Sequence, residues 1–195
     1  MRITAQEKQA TWERITQAAL ELFRRQGFEA TTTRDIAQAA GTATGTLFNY
    51  FPNKEALVAG LAAELLAKAR ARFAQPLDGD LEEELFALVA AELRHLKPLR
   101  KFLRPLLETA LSPLAAGNGT VGEALRVEHL EIVARIAGRH GLTELSAAAL
   151  HLYWSLYLGV LAFWIADKSP KQEDTLALLH ESLAMFTAWL RGARE

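Results

Sequence analysis

The 195-residue chain contains no cysteine. Without thiols it forms neither a disulfide framework nor a metal site with thiolate ligands, as expected of a protein that works in a reducing compartment. The first eight residues, MRITAQEK, also lack the apolar core of a secretory signal peptide. We therefore expect a cytoplasmic protein.

The chain also lacks a strong net charge, because 22 Lys and Arg side chains stand against 23 Asp and Glu side chains, giving −1 at pH 7. This balance argues against a protein that coats nucleic acid over its whole surface. The charge is unevenly spread, since residues 1–54 carry seven basic and five acidic side chains. The N-terminal part is therefore weakly basic and the remainder weakly acidic.

A catalytic or metal-binding constellation is missing as well. The stretch 41–46 contains two glycines but lacks the lysine of a phosphate-binding loop. No two histidines have the i, i+4 spacing, with a partner acid, of a metal site on one helix. The histidines are His95, His129, His140, His151 and His180. We therefore expect no enzymatic activity, no metal and no cofactor.

No segment alternates apolar and polar residues with period two over the length of a strand, so the chain is predicted to be all helical. The first helix is expected from about Ala5 to Gln26, where apolar residues recur at spacings of three and four, and Gly27 ends it. Its inward face consists of Trp12, Ile15, Ala19, Leu22 and Phe23.

The stretch 32–54 predicts a helix-turn-helix. Thr32 followed by Asp35 is typical of a capping box at a helix start, and Gly41 can adopt the left-handed conformation of a tight turn. A second short helix at 43–51 stops before Pro52. Leu47 and Phe51 lie four residues apart and share the face that packs on the first helix, at Ile36 and Ala40.

The opposite face of the second helix carries hydroxyl, amide and aromatic side chains and no charge. Thr and Asn side chains can bond to base edges, and Phe rings and Thr methyl groups can contact thymine methyl groups. The residues of this face are Thr44, Gly45, Thr46, Phe48, Asn49 and Tyr50. Arg34 lies in the first turn of its helix, where the helix dipole disfavours a cation, so a contact with DNA explains it best.

This stretch resembles the N-terminal motif of the TetR family of bacterial transcriptional regulators. The matching residues are Thr32, Arg34, Asp35, Ile36 and Ala37, then Gly41, then Gly45, Thr46, Leu47, Phe48, Tyr50 and Phe51, and finally Lys54, Glu55 and Leu57. Two residues depart from the family pattern. Ala43 replaces a serine that can cap the second helix, where Thr42 is expected to substitute, and Phe48 replaces a tyrosine.

The resemblance implies a DNA-binding regulator. We predict that four residues at helix ends of the motif contact phosphates. Thr32 and Thr33 lie at the start of its first helix, and Tyr50 and Lys54 lie at and after the end of its second, the reading helix. The residues predicted to face base edges are Arg34, Thr44, Gly45, Phe48 and Asn49, with Thr46 on the same face.

The chain is predicted to divide into a DNA-binding domain at 1–53 and a second domain at 54–195, joined by a connecting helix at 54–74. A further helix follows Asp80, and Pro105 is expected to divide the apolar pattern after Pro98 near Lys101. A loop is expected at 112–119, and a capping box at 120–123 predicts a helix to about His140.

Residues 147–166 form a stretch of twenty residues without charge. By length alone it could span a bilayer, but Glu144 and Asp167 flank it and no Lys/Arg cluster sets an orientation. A helix buried in a protein assembly has the same composition, and we favour that interpretation.

The last helix carries a heptad pattern with spacings of 3, 4, 3 and 4, formed by Leu176, Leu179, Leu183, Phe186 and Leu190. Met185 and Trp189 form a second apolar ridge. One chain cannot cover both ridges and an apolar neighbouring helix, so we predict a homodimer through the last two helices, with the heptad residues at its interface. The family resemblance implies the same arrangement.

An excess of bulky aromatics beside a proline-divided helix predicts a cavity for a small, largely apolar effector. The candidate ligand contacts are Phe102, His129, His151, Tyr153, Trp154 and Tyr157. The favoured function is a homodimeric repressor that binds a double-stranded, palindromic operator and is released by that effector. A membrane-anchored regulator, and a helical binding protein or enzyme with an incidental helix-turn-helix, are the alternatives.

Overall fold

The computed structural model describes residues 4–109 and 121–192, and in these residues every regular element is a helix. The α-helices are α1 (Ala5–Gln26), α2 (Thr33–Ala39), α3 (Thr44–Tyr50), α4 (Lys54–Arg70), α5 (Leu81–Leu96), α6 (Leu103–Thr109), α7 (Val121–Arg139), α8 (Ala147–Ala166) and α9 (Glu173–Gly192). Short 3-10 segments follow α4, precede α6 and precede α9. The all-helical prediction is confirmed.

The chain forms two compact units, Met1–Leu61 and Ala62–Glu195. The division falls inside α4 rather than at its start, where the sequence placed the domain boundary. Leu57 and Val58 explain this, because both are buried in the first two turns of α4. Gly60 also lies against the ring of Phe51, at a distance where an added Cβ would meet a ring carbon at 3.0 Å. The start of α4 thus belongs to the N-terminal unit.

The N-terminal unit contains α1, α2, α3 and the start of α4. Thr4 and Glu7 form a capping box that begins α1, and Gly27, with φ of 88°, ends it. Gly41 takes the left-handed conformation with φ of 62° in the turn between α2 and α3, as predicted. The fully buried side chains here include Ile15, Phe23, Ile36, Leu47 and Leu57.

The second unit contains the end of α4 and helices α5 to α9. Asp80 and Glu83 form a capping box at the start of α5. The predicted division of the following segment is confirmed, since a 3-10 segment ends at Phe102 and α6 begins at Leu103. The predicted loop at 112–119 and Thr120 of the predicted capping box lie outside the described residues. The predicted bounds of α8 are confirmed.

Candidate functional site

Helix α3 presents one buried and one open side. Leu47 is fully buried, and Phe51, which follows the helix, is 4% exposed. On the other side Phe48 is 48% exposed, and Gly45 and Asn49 are exposed as well. The predicted reading residues Thr44, Thr46 and Tyr50 are half-buried around this face. The exposed ring and amide leave this side of α3 with groups that can contact base edges and thymine methyl groups.

The start of α2 uses its polar groups locally. The Thr32 hydroxyl donates to Asp35 Oδ2 at 2.7 Å and accepts from the Asp35 backbone N–H at 3.1 Å, which confirms the predicted capping box. The Thr32 hydroxyl and the Thr32 backbone N–H, which lies 2.9 Å from Asp35 Oδ2, both donate to this carboxylate and lower the pKa of Asp35. Thr32 is therefore committed to the cap, whereas the neighbouring Arg34 side chain is exposed and Thr33 is half-buried.

Lys54 has an internal role that the sequence did not suggest. Its ammonium donates to the carbonyl oxygen of Phe28 at 2.8 Å and lies 4.5 Å from the centre of the Phe28 ring. This contact ties the start of α4 to the segment after α1. Its predicted contact with phosphate remains a prediction, and any such contact must share the ammonium with this carbonyl.

The start of α3 lacks a side-chain cap. Ala43 occupies the N-cap position and no side chain accepts a hydrogen bond from the first turn. The expectation that Thr42 takes over the capping role is therefore wrong. The Thr42 backbone N–H instead donates to the Ala37 carbonyl at 2.9 Å and closes the turn after α2. The helix rests on the packing of Leu47 rather than on capping.

The second unit contains a narrow cavity of about 20 Å³ that is partly open to solvent. Its walls come from the end of α4 and from α5, α6, α7 and α8, and they are almost entirely apolar. The lining residues are Ala62, Leu66, Arg70, Leu96, Leu103, Leu107, Leu125, Trp154, Tyr157, Leu161 and Ile165. A bound molecule larger than one or two waters requires these side chains to separate.

A buried polar cluster borders the cavity at Arg70. The Arg70 Nε donates to Glu92 Oε1 at 2.6 Å, and His129 Nδ1 lies 2.9 Å from the same oxygen. His129 Nε2 lies 3.2 Å from the Tyr153 hydroxyl. Burial alone would raise the pKa of Glu92, but His129 and Arg70 outweigh it and lower this pKa to about 2. Glu92 is therefore a buried carboxylate held in its charged form.

The predicted ligand residues fall into two groups. Trp154 and Tyr157 line the cavity. His129 and Tyr153 are buried in the polar cluster, and His151 is exposed beside Arg126. Phe102 is buried but is not among the lining residues.

The sequence did not identify Arg70 or the leucines of the cavity wall as candidate site residues. A cation at the end of a connecting helix gives no sign of its burial, and leucines at helical spacing indicate only a core. Among the described residues no group of three or more His, Asp or Glu side chains is arranged to hold a metal ion.

The heptad pattern of α9 faces the interior of its own protomer. Leu179, Leu183 and Phe186 are 2% exposed or less and Leu190 is 7% exposed, so their side chains have no surface left for a partner. Their assignment to a dimer interface is therefore wrong. The physical reason is that α5 and α8 of the same protomer both pack along α9, and the Phe186 ring lies 5.4 Å, centre to centre, from the Tyr153 ring of α8. Only Leu176 of the predicted set is exposed, at 37%.

Another apolar face remains open on the last two helices. Leu152 and Phe163 of α8 are 39% and 43% exposed, and Met185 and Trp189 of α9 are 65% and 43% exposed. Among the described residues α8 is the one helix long and apolar enough to cross a membrane, by length and composition only. Its other side is buried, including Tyr153, Trp154 and Trp164, as in the core helix of a folded domain.

Comparisons with known proteins agree with this geometry. The sequence profile of the "Bacterial regulatory proteins, tetR family" matches residues 15–61, which include α2 and α3. The repressor KstR2 of Rhodococcus jostii is 32% identical over 177 residues, covering 88% of this chain and 73% of KstR2. UidR of Escherichia coli K12 is 28% identical over 133 residues, and the match spans 68% of this chain and 66% of UidR.

Solved structures show the same fold. The crystal structure of FadR from Thermus thermophilus, a transcriptional repressor in complex with lauroyl-CoA, superposes with a TM-score of 0.65 at 26% identity. The alignment covers 90% of this chain and 93% of that chain, so the similarity extends over both units.

Proposed function

Because this chain belongs to the TetR family and is a helix-turn-helix transcriptional regulator, we propose that it is a homodimeric repressor of a palindromic operator in the cytoplasm. A small, largely apolar ligand releases it. The observation that carries the proposal is the open side of α3, where Phe48 and Asn49 are exposed above a fully buried Leu47. A helix anchored on one side and bearing base-compatible groups on the other suits the major groove.

The proposed DNA contacts are of two kinds. Thr33, Tyr50 and Lys54 meet phosphates and fix the position of α3 on the duplex. Thr32 supports them indirectly, because its hydroxyl is used by the cap of α2. The residues that face base edges are Arg34, Thr44, Gly45, Thr46, Phe48 and Asn49.

The proposed dimer interface is the open apolar face of α8 and α9. Leu152, Gly159 and Phe163 lie seven and four residues apart and therefore share one side of α8. Met185 and Trp189 form the matching ridge of α9. Apolar area of this kind is normally covered, and a two-fold pairing covers it with a second copy of itself. This interface replaces the heptad residues, which the protomer buries.

The proposed ligand site is the cavity of the second unit. Its leucine-rich wall suits an apolar molecule. The end of α4 contributes Leu66 and Arg70 to the wall, and the start of the same helix packs in the DNA-binding unit. Widening of the cavity therefore acts on a helix that both units share. The relative FadR binds lauroyl-CoA, which contains an apolar chain, and the relative KstR2 is a repressor.

A selection experiment tests the proposal. Purified protein is incubated with a random DNA pool, and the retained duplexes are sequenced and retested by mobility shift. We expect enrichment of an inverted repeat whose half-sites are centred one helical turn, roughly 34 Å, or a multiple of it apart. Retention of DNA without any enriched sequence would contradict the proposal, as would failure to bind DNA at all.

A further inference from the structure

The indole N–H of Trp154 is buried without a hydrogen-bond partner among the described residues. Trp154 is 2% exposed and belongs to the cavity wall. Leaving such a donor unpaired costs about 1–3 kcal/mol. Trp164 of the same helix shows how this chain satisfies a buried indole, because its Nε1 donates to Gln172 Oε1 at 2.9 Å. Trp154 is the exception, and it is the one that lines the cavity.

The other polar side chains of the cavity wall are also donors. A guanidinium and an indole have no acceptor, so Arg70 and Trp154 can only donate. Burial, with the Glu92 carboxylate, raises the pKa of Tyr157 well above its ordinary value, and its hydroxyl therefore keeps its proton. The Tyr157 hydroxyl can also accept, but the unpaired Trp154 N–H is matched only by an acceptor on the bound molecule.

The cation of this corner is already paired with two carboxylates. Arg70 Nε donates to the buried Glu92, and Arg70 Nη1 donates to Glu128 Oε2 at 3.3 Å. A carboxylate placed in the cavity would add a buried negative charge without a free cation to pair with it. An uncharged carbonyl oxygen accepts a hydrogen bond without that cost.

We infer that the cavity binds an apolar molecule carrying one uncharged carbonyl oxygen, such as a ketone, ester, thioester or amide, and that the Trp154 indole N–H donates to this oxygen. The inference rests on the proposed ligand-responsive function and specifies its ligand class. The leucine wall receives the apolar body, and Trp154 sets the position of the carbonyl along it. Tyr157 stacks on Trp154, with ring centres 5.2 Å apart, and holds the indole in place.

The test compares three eight-carbon probes: 2-octanone, octane and octanoate. Binding is measured by calorimetry, and the indole N–H resonances are followed by NMR in protein labelled with ¹⁵N-tryptophan. We expect 2-octanone to bind more tightly than octane and octanoate, and to shift the Trp154 resonance. Trp154→Phe should lower the affinity for 2-octanone about 3- to 10-fold, the range of one hydrogen bond, and leave that for octane unchanged.

Trp164→Phe is the matched control, because its indole is also buried but already has a partner. It should not change the preference for the ketone, and the Trp164 resonance should stay in place. Ketone binding without movement of the Trp154 resonance would overturn the inference, and the NMR result on the native chain stands even if Trp154→Phe fails to fold.

Equal affinity for ketone and octane, or tighter binding of octanoate, would also overturn the inference. If none of the three probes binds while the protein still selects an operator, the ligand inference fails and the DNA-binding proposal stands.

Discussion

The two units of this chain use their polar residues in opposite ways. In the N-terminal unit most side-chain hydrogen bonds join residues three or four positions apart, as between Thr32 and Asp35 and between the buried Thr31 and Gly27, and Lys54 is the exception. In the second unit a charged cluster is buried, and its Arg70, Glu92 and His129 come from three helices. We propose that the local contacts keep the DNA-binding surface constant, whereas the buried cluster beside the cavity responds to a molecule that enters it.

Arg70→Met should strongly destabilise the second unit. The substitution keeps the apolar stem but leaves the buried Glu92 carboxylate without its cation, so we expect the unfolding free energy to fall by roughly 3–5 kcal/mol. Urea unfolding measures this loss. Lys68→Met is the matched control, because Lys68 pairs with Glu64 on the surface and should cost less than about 1 kcal/mol.

The same variant should also change how the stability of the second unit depends on pH. The pKa of Glu92 is about 2 in the folded chain, against an ordinary value of 4.5. A lowered pKa stabilises the fold above pH 4.5, and that stability is lost as pH falls from 4.5 towards 2. In Arg70→Met the pKa of Glu92 should lie closer to 4.5, so the stability lost between pH 4.5 and pH 2 should be smaller. Identical acid unfolding of both proteins, or a loss under about 1 kcal/mol at pH 7, would show that the buried pair contributes little.

Gly159→Glu should split the dimer without unfolding the protomer. A Cβ at Gly159 meets nothing within 4 Å, so the protomer accommodates the side chain, but a two-fold interface would bury its charge at a cost of roughly 3 kcal/mol. Sedimentation should show a helical monomer. Gly138→Glu on α7, equally open to a Cβ, is the control and should stay dimeric.

Substitution of the heptad residues of α9 should have a different outcome from Gly159→Glu. Glutamates at Leu179 and Leu183 should unfold the protomer, because both side chains are 2% exposed in its core. A folded monomer from that double variant, or an intact dimer in Gly159→Glu, would place the interface elsewhere.

Asn49→Ala should weaken binding to the selected operator by roughly 1–3 kcal/mol and relax one base position, because Asn49 is exposed on the reading side of α3. Titration of operator and random DNA by fluorescence anisotropy measures both effects. Gln17→Ala removes an exposed amide from α1 and should change neither. Equal losses on operator and random DNA for Asn49→Ala would refute its role in base reading.

Lys54→Met should have the smallest effect of the four. It removes the hydrogen bond to the Phe28 carbonyl, so we expect the N-terminal unit to lose about 1 kcal/mol of stability. If Lys54 also contacts a phosphate, its replacement should lower the salt slope of DNA binding by about one. A lower slope with unchanged stability would mean that the ammonium serves DNA alone. Lys8→Met, at an exposed position of α1, is the control.

The sequence predicted those features that short stretches encode. The capping box at Thr32, the left-handed Gly41 and the bounds of α1 and α8 follow from residues a few positions apart. The position of Phe48 on the open side of α3 followed from the burial of Leu47, one residue away.

Features set by distant contacts escaped prediction. Lys54 meets a carbonyl 26 residues away, and Arg70 meets Glu92 22 residues away. The period of α9 indicated that Leu179 and Leu183 are buried, but a period does not identify what covers them, which is α5 and α8 of the same protomer. Assigning that burial to a second protomer was the largest error.

The most direct test of the account is calorimetric titration of 2-octanone into the free dimer and into the dimer bound to its selected operator. If the cavity of the second unit acts on the reading helices through α4, the operator should weaken binding of the ketone by the same factor as the ketone weakens binding of the operator. A tenfold effect corresponds to a coupling of about 1.4 kcal/mol. Identical affinity in both titrations would contradict the account, because occupation of the cavity would then leave the DNA-binding unit unchanged.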